Sequence, residues 1–334
     1  MTVNVKLFDS LADVAADAGT ALDRAHQSKL YDRLSWFEMT SRHCADDGVA
    51  PLVVRARDDQ SAAWLFLWKD GPGRAEALAS WYTLQFDIVR DGENPDLLKA
   101  MADRLKDFAK ISLEPIADPD AIADAFEKAG WKVVKSVATQ NWRLSAPSDF
   151  DSFWKARPGK LRSTVKRKGK KANLDIAIHR AFDEQAWHDY RHVYANSWKP
   201  EEGSWSFMRE FAETEGEAGT LRLGIAYREG EPVAAQFWHV ENGYATIYKL
   251  AYAESAKSFS PGSILSEAMF RHVIEEDAPA IIDYGTGDQG YKADWMDGAR
   301  PLYRLEMLNP RKPAAWPSLA RNALSGLVRR ASSD

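Results

Sequence analysis

The sequence predicts two mixed α/β domains of one kind, each an α+β mixed sheet with helices packed on it. Three observations predict this. The chain has 334 residues, room for two domains of ordinary size. Runs rich in β-branched and aromatic residues alternate with helix-patterned runs in both halves. The order is also the same in both: three strands, a helix, a strand, a short element and a last strand.

In the first half the strands read at 50–56 (APLVVRA), 61–69 (SAAWLFLWK) and 79–89 (ASWYTLQFDIV). Pro or Asp opens the helices at 95–109 and 119–129, with a strand between them at 111–116 (ISLEPI). The last strand, 131–144, starts after Gly130. The second half begins with helices at 183–196 and 204–215. Strands follow at 221–228, 233–240 and 244–253, joined by hairpin turns at Glu229-Gly230-Glu231-Pro232 and Glu241-Asn242-Gly243. A loop with Pro261-Gly262 leads to a helix at 263–276, a strand at 280–284 and a closing strand at 302–308. The boundary falls at 145–150. The expected domains are 1–147 and 148–310, with a tail at 311–334.

Composition bounds the function. Apolar residues make up 45% and charged residues 28%, the balance of a soluble globular protein. The longest apolar run, 62–68, is far short of the ~20 residues that cross a bilayer. The start, MTVNVKLFDS, lacks the basic and apolar regions of a secretory signal. A single cysteine, Cys44, forbids an internal disulfide and a cysteine zinc cluster, so a reducing cytoplasm is expected. The net charge of −5 argues against a nucleic-acid partner. Yet nine basic residues and no acidic one lie between Lys155 and Lys171. Like charges at this spacing destabilise a helix, so an anionic partner is expected: a phosphate, an acidic carrier protein or lipid headgroups. The alternative is a solvated helix face. The stretch WPSLARNALSGLVRRAS sets Leu319, Ala323, Leu324, Leu327 and Val328 against Arg321, Arg329 and Arg330. It could lie on a membrane surface or dock on its own domain.

Several constellations carry chemistry. The loop SFSPGSIL, residues 258–265, joins a strand to a helix; Gly262 allows a sharp turn and Ser263 is read as the helix cap. Free amides at such a helix start suit a pyrophosphate. The matching loop of the first half, RDGENPD, carries Asp91, Glu93 and Asp96, which would repel an anion. The glycines Gly285, Gly287 and Gly290 spell GxGxxG after a strand, but no crossover helix fits before Pro301, so the dinucleotide reading is rejected. That stretch instead gathers Asp283, Asp288, Tyr291, Lys292 and Trp295, an acid, a phenol and an amine close enough for proton transfer or for a salt-bridged loop. Strict alternation along 244–252 sets Tyr244, Thr246, Tyr248, Leu250 and Tyr252 on one face and Ala245, Ile247, Lys249 and Ala251 on the other. Lys249 among small apolar residues must be paired if buried, or else reach water at a rim. Gln236 and His239 fall on opposite faces of the neighbouring strand, His239 being either a core histidine or a catalyst.

Together Trp198-Lys199-Pro200-Glu201, GTLRLGIAYREGEPVAAQFWHV, IYKLAYAESAKSFSPGSIL and DYGTGDQGYKADWM resemble the GNAT-like acetyltransferases of cellulose biosynthesis, the CelD/BcsL type. The basic LRSTVKRKGKK is similar to that family's basic helix, and the resemblance spans about 150–310. That family is related to FemAB-like aminoacyltransferases, so tandem GNAT-like (acyl-CoA N-acyltransferase) domains in a FemAB-like architecture are implied, with 1–147 degenerate and 148–310 catalytic. The implied activity is N-acyl transfer from an acyl thioester to a primary amine. No permanent cofactor and no metal are implied; acyl-CoA or an acyl carrier protein is the co-substrate. SFSPGSIL lacks the family's alternating Gly/Ala, which leaves room for the carrier protein. On this resemblance Asp283 is the candidate base and Tyr291 the acid. Lys249 and Lys292 would hold phosphate or the oxyanion, and His239 completes the catalytic candidates. Ser260, Gly262, Ser263, Ile264, Lys166 and Arg167 would hold the donor. Trp198, Gln236, Tyr248 and Trp295 would meet the acceptor. Some relatives look like bacterial ceramide synthases. The 13 tryptophans, basic run and basic tail suit a sphingoid base at a membrane surface, with peripheral contact on the inner membrane. The rivals are an amino-sugar acceptor of exopolysaccharide, an aminoacyl-tRNA-dependent peptidoglycan cross-bridge enzyme, and a silent ligand-binding scaffold.

Overall fold

The computed structural model describes residues 2–322. Its elements in order are β1 (Asn4–Phe8), α1 (Leu11–Ala18), α2 (Leu34–Cys44), β2 (Ala50–Arg57), β3 (Ala62–Lys69), β4 (Arg74–Ala77), β5 (Val89–Asp91), α3 (Asp96–Arg104), β6 (Lys110–Ile116), α4 (Asp120–Lys128) and β7 (Lys132–Ser145). Then come α5 (Phe150–Ala156), α6 (Gly159–Ala172), β8 (Asp175–His179), α7 (Glu184–Ala195), α8 (Trp205–Glu217), β9 (Leu221–Arg228), β10 (Glu231–Glu241), β11 (Tyr244–Tyr252), α9 (Pro261–His272), β12 (Ile281–Thr286) and β13 (Gly298–Leu308).

The chain forms two compact units: 2–139 with 301–322, and 140–300. The sequence divides the halves at 147/148 and 310/311 instead. Strand pairing explains the difference. In the first unit the strand order is β1-β2-β3-β4-β6-β13-β7, with β5 beside β3. β13 enters this sheet antiparallel to β6, with Leu305 opposite Leu113 and Met307 opposite Ile111. In the second unit residues 141–145 of β7 pair antiparallel with β12, and the order continues β11-β10-β9-β8. Each half of the sequence thus supplies a strand to the unit built mainly from the other half. Periodicity shows that a strand exists but not which strand it pairs with.

The first unit begins with β1, α1 and α2, a stretch in which sequence pattern alone predicts no elements. Ser10 caps α1, and Arg55 on β2 grips Asp17 through both carboxylate oxygens at 3.1 and 3.0 Å. β3 is buried along AAWLFLW, which explains an apolar run where a half-exposed strand would alternate. The expected strand at 79–89 is the main departure. Only β4 and β5 flank it, and 78–88 is irregular. Its aromatic residues are held by tertiary contacts: Trp36 donates to Thr83 Oγ1 at 3.2 Å, and the Phe86 amide to the Pro115 carbonyl at 2.7 Å. Side-chain burial there outweighs β-propensity. The start of the tail lies in this unit, where Leu319 packs on Ala109, Leu308 and Ala315. Residues 323–334 of the expected basic tail lie outside the described residues.

In the second unit the expected helices and strands are present, and β9 has the expected limits. The hairpin turns carry positive φ at Glu229-Gly230 and Asn242-Gly243, the backbone that two-residue hairpins require. The core sets Trp238, Phe270, Met269 and Phe153 between sheet and helices. Gly224 admits α9 closely, since a Cβ there would meet Met269 Sδ at 2.4 Å. A buried ion triad ties β10 to α8: His239 Nε2 lies 3.0 Å from Glu215 Oε2 and 3.5 Å from Glu241 Oε2. Thr220 Oγ1 donates to the same Glu215 oxygen at 2.5 Å. Burial disfavours the charged ring, but the hydrogen bonds and charges of both glutamates outweigh it and raise the pKa of His239 above 6.5.

Two outcomes follow from these arrangements. A fragment 140–300 should melt cooperatively, whereas 148–310 loses the strand that pairs with β12 and the buried Leu144. Circular dichroism melts compare them, and equal cooperativity would contradict the pairing argument. For the triad, stabilisation by His239 is full below about 6.5 and fades as pH climbs through the raised folded value. The melting temperature should therefore fall on the alkaline side, and His239→Gln should flatten that fall. His239→Ala leaves two buried carboxylates unneutralised and should cost about 3–5 kcal/mol.

Candidate active site

β11 and β12 are parallel neighbours for only three rungs, Tyr244↔Ile281, Ala245↔Ile282 and Thr246↔Asp283. Beyond Thr246 the two strands separate, and 247–252 keeps β10 as its ladder partner. An unpaired strand edge presents N–H and C=O groups to any extended ligand entering the split. Asp283, 6% exposed, closes the last rung. It accepts hydrogen bonds from Asn141 Nδ2 at 2.8 Å, the Gly285 amide at 2.7 Å and the Tyr244 hydroxyl at 2.5 Å. Burial, and then the Asp283 charge and hydrogen bond, keep the Tyr244 phenol protonated. Asn141 is oriented in turn by Arg300 Nε at 3.1 Å from its Oδ1.

A bulge lies beside the split. Phe237 faces Lys249 and the next residue, Trp238, faces Ile247, which leaves Tyr248 as the extra residue. The strict alternation expected for this strand breaks here. Ala245 and Ile247 pack in the core under α9, but so do Leu250 and Tyr252, while Tyr248 meets Phe211 and Phe237. The bulge turns Lys249 toward the loop between α7 and α8, where its Nζ lies 3.0 Å from Glu202 Oε1.

Lysines gather at this end of the unit. Lys292 stands in the short turn Gly290–Asp294 that follows β12. It is 6% exposed and donates to the Thr286 carbonyl at 2.6 Å. Burial, reinforced by the charge of Lys199 and opposed by Asp283, lowers its pKa to about 8. Lys199 is also lowered, by burial and then by Lys249, with Glu202 opposing. Burial and the Glu202 charge keep the Tyr194 phenol protonated. Trp198, 45% exposed, packs on Tyr252 with the rings tilted and their centroids 4.2 Å apart. Tyr252 packs against Gly262, where a Cβ would come within 3.0 Å of its ring. Sequence reasoning missed Lys199, Glu202 and Tyr194. The motif Trp198-Lys199-Pro200-Glu201 was the available signal for Lys199, and it ends one residue before Glu202.

α9 begins at Pro261, so Ser260 is the cap position and Ser263 lies inside the helix. Ser260 has positive φ and no capping hydrogen bond from its side chain; its hydroxyl instead accepts from Lys168 Nζ at 2.9 Å. Pro261 has no N–H, and the Ser263 and Ile264 amides turn back to the Ser260 carbonyl. Gly262 supplies the remaining amide of the first turn. A phosphate here would therefore depend on α6 cations as well as the backbone. Lys166 and Ile264 line a groove of about 680 Å³ between α6 and α9. Arg167 is exposed on the outer side of α6.

The remaining candidates are mostly engaged in internal contacts, while Tyr291 adjoins Lys292 in the turn after β12. Gln236 is a buried strut: it donates to Ser266 Oγ at 2.6 Å and accepts from Trp238 Nε1 at 2.9 Å. Trp295 is core, stacked on Phe270, and its carbonyl accepts from Arg157 Nη1 at 2.7 Å. Tyr248 is buried among rings of α8 and β10. Tyr291 is 43% exposed, edge-on to Tyr284, and burial raises its pKa. His239 sits in the ion triad described above. Glu215, His239 and Glu241 bring one ligand atom each within 4.8 Å of one another, a spacing that could hold a metal. The two carboxylates favour the protonated ring, which has no lone pair to spare for a metal, so the triad reads as an internal ion cluster.

Residues 159–293 match the family model described as Acetyltransferase (GNAT) domain. No curated protein matches the chain. In fold the chain is similar to FemX, with a TM-score of 0.60 and 11% identity over 92% of this chain and 98% of that one. It is also similar to the C-terminal domain (DUF2156) of a candidate lysylphosphatidylglycerol synthetase from Agrobacterium fabrum, with TM-score 0.59, 14% identity, and 94% and 98% of the two chains covered. A tandem GNAT protein from the clavulanic acid biosynthesis pathway gives TM-score 0.51 at 13% identity, over 93% of this chain and 100% of that one. At these identities the likeness is one of fold. The chain thus has a tandem GNAT-like architecture, carries a GNAT acetyltransferase domain and is a transferase enzyme.

Proposed function

We propose that the protein is an N-acyltransferase that moves an acyl group from a thioester, acyl-CoA or acyl carrier protein, to a sphingoid-base amine. The split of β11 from β12 beyond Asp283 carries this reading. Its open strand edge suits the extended, amide-bearing arm of an acyl thioester. Gly262, Ser260 and Lys168 lie at the start of α9 for the donor's phosphate. Trp198 on Tyr252 offers an apolar lip for an alkyl chain.

In the reaction the acceptor nitrogen forms a bond to the thioester carbon, and the carbon–sulfur bond breaks. One proton leaves the amine and one joins the departing thiolate. Lys292 takes the first proton in this reading. It is buried, has a pKa of about 8, and donates to one carbonyl, so its neutral amine keeps a lone pair. The Asp283 carboxylate is committed to three donors and acts as a positioning residue. In this reading Lys249 stabilises the oxyanion, and the Tyr291 phenol, which stays protonated, supplies the second proton. A second reading, an amino-sugar acceptor, is favoured by the polar grouping of Lys199, Lys249 and Glu202, which suits hydroxyl groups. Among the described residues no helix is long and apolar enough to cross a membrane.

Thiol release tests this. Acyl-CoAs of short to long chain are offered with sphinganine, 3-oxosphinganine or glucosamine. Release with long chains and a sphingoid amine is expected. Release with short chains and glucosamine would move the reading to a sugar, and release with no pair, nor with an acyl carrier protein, would overturn it. The rate should rise with pH through about 8. Lys292→Arg should abolish that rise and lower kcat by roughly 10²–10⁴. An unchanged profile would return the base role to Asp283.

A further inference from the structure

The basic run forms α6, whose seven lysines and arginines face no acidic residue within the helix. Among the described residues none of the seven forms an ion pair with a carboxylate. Pairs such as Arg162–Lys166, Lys166–Lys170 and Arg167–Lys171 stand one turn apart and repel one another. Such a helix is stable only because Leu161, Val165 and Ala172 are buried, and its uncompensated charge suits an anionic partner.

The size of that partner follows from the helical wheel. Arg162, Lys166 and Lys170 line the groove beside Trp154, Ile264 and Glu267, whose carboxylate is paired with Arg271, and the groove is large enough for one nucleotide-sized anion. Lys160, Arg167 and Lys171 are exposed on a second stripe, about a third of a turn away. A small molecule in the groove reaches only the first stripe. An anion that neutralises both must be a surface. The apolar side chains of α6 all point inward, so the helix has nothing to insert among acyl chains, as a membrane-lying helix would. Lys168 ties the helix to Ser260 at the start of α9, which sets this surface beside the donor end of the split.

We infer that the outward face of α6 docks an acidic acyl carrier protein, whose thioester-bearing arm then enters between β11 and β12. This inference rests on the thioester-donor reading above and names the form in which the donor arrives. Charge on both stripes speeds encounter and fixes orientation, and the groove accepts the start of the arm.

The test measures binding of a hexadecanoyl carrier protein to the full chain by titration at low and high salt. Transfer from the same carrier protein and from hexadecanoyl-CoA is measured in parallel. Binding should weaken by about tenfold or more at high salt. Lys160→Glu with Lys171→Glu should weaken carrier-protein binding about tenfold and raise its KM, leaving the KM for hexadecanoyl-CoA unchanged. The milder Lys160→Gln with Lys171→Gln should fall between, and an unchanged melting temperature would show both variants folded. Three results would overturn the inference: no carrier-protein binding, equal loss with both donors, or binding to phosphatidylglycerol vesicles but not to the carrier protein. Carrier-protein binding with transfer from neither donor would spare the docking surface and remove the acyltransfer reading.

Discussion

The site depends on one buried carboxylate. Asp283 ends the parallel ladder between β11 and β12, and its three hydrogen bonds come from three places: β7, β11 and its own strand end. A buried carboxylate without such partners would be costly, so the donors hold the rung closed while the strands beyond it part. Gly285, at positive φ, brings its own amide back onto the carboxylate. The split exists because this rung holds and the next one is not made. Lys292, Lys249 and the start of α9 take their places relative to that edge.

Charge is segregated accordingly. The chain is net acidic, yet α6 carries seven cations and Lys199, Lys249 and Lys292 gather within the same unit. The lysines inside the unit differ in kind from those on α6. Lys249 is paired with Glu202, and Lys292 has lost much of its hold on a proton through burial, whereas Lys160, Lys166, Arg167, Lys170 and Lys171 of α6 are exposed to solvent. Burial makes one group suited to proton movement, and exposure makes the other suited to attraction at a distance.

Much of the fold was legible in the sequence, and for physical reasons. β9 and the two positive-φ hairpins obey local rules that no tertiary contact overrides. Lys249 and Lys292 were legible as unusual residues in apolar settings. The face on which Lys249 lies was not, because one extra residue at Tyr248 reverses the alternation. Gln236 and Trp295 have the chemistry of binding residues but spend it internally, on Ser266 and Phe270. The irregular 78–88 stretch reads as a strand because its aromatic residues are buried, and propensity cannot distinguish burial in a loop from burial in a sheet. Lys199 and Glu202 become a cluster with Lys249 only through a loop that no periodicity describes.

The crossing of strands between the two halves sets an order in time. β6 is made early, but the strand it needs, β13, lies almost two hundred residues later in the chain. The second unit has all its strands once residue 300 has been made. During synthesis the unit that starts first is therefore completed last, and until then it carries an open sheet edge at β6. Slow, long-range closure of this kind exposes a nascent chain to mispairing. That edge is where chaperones or a paused ribosome would matter most to this protein.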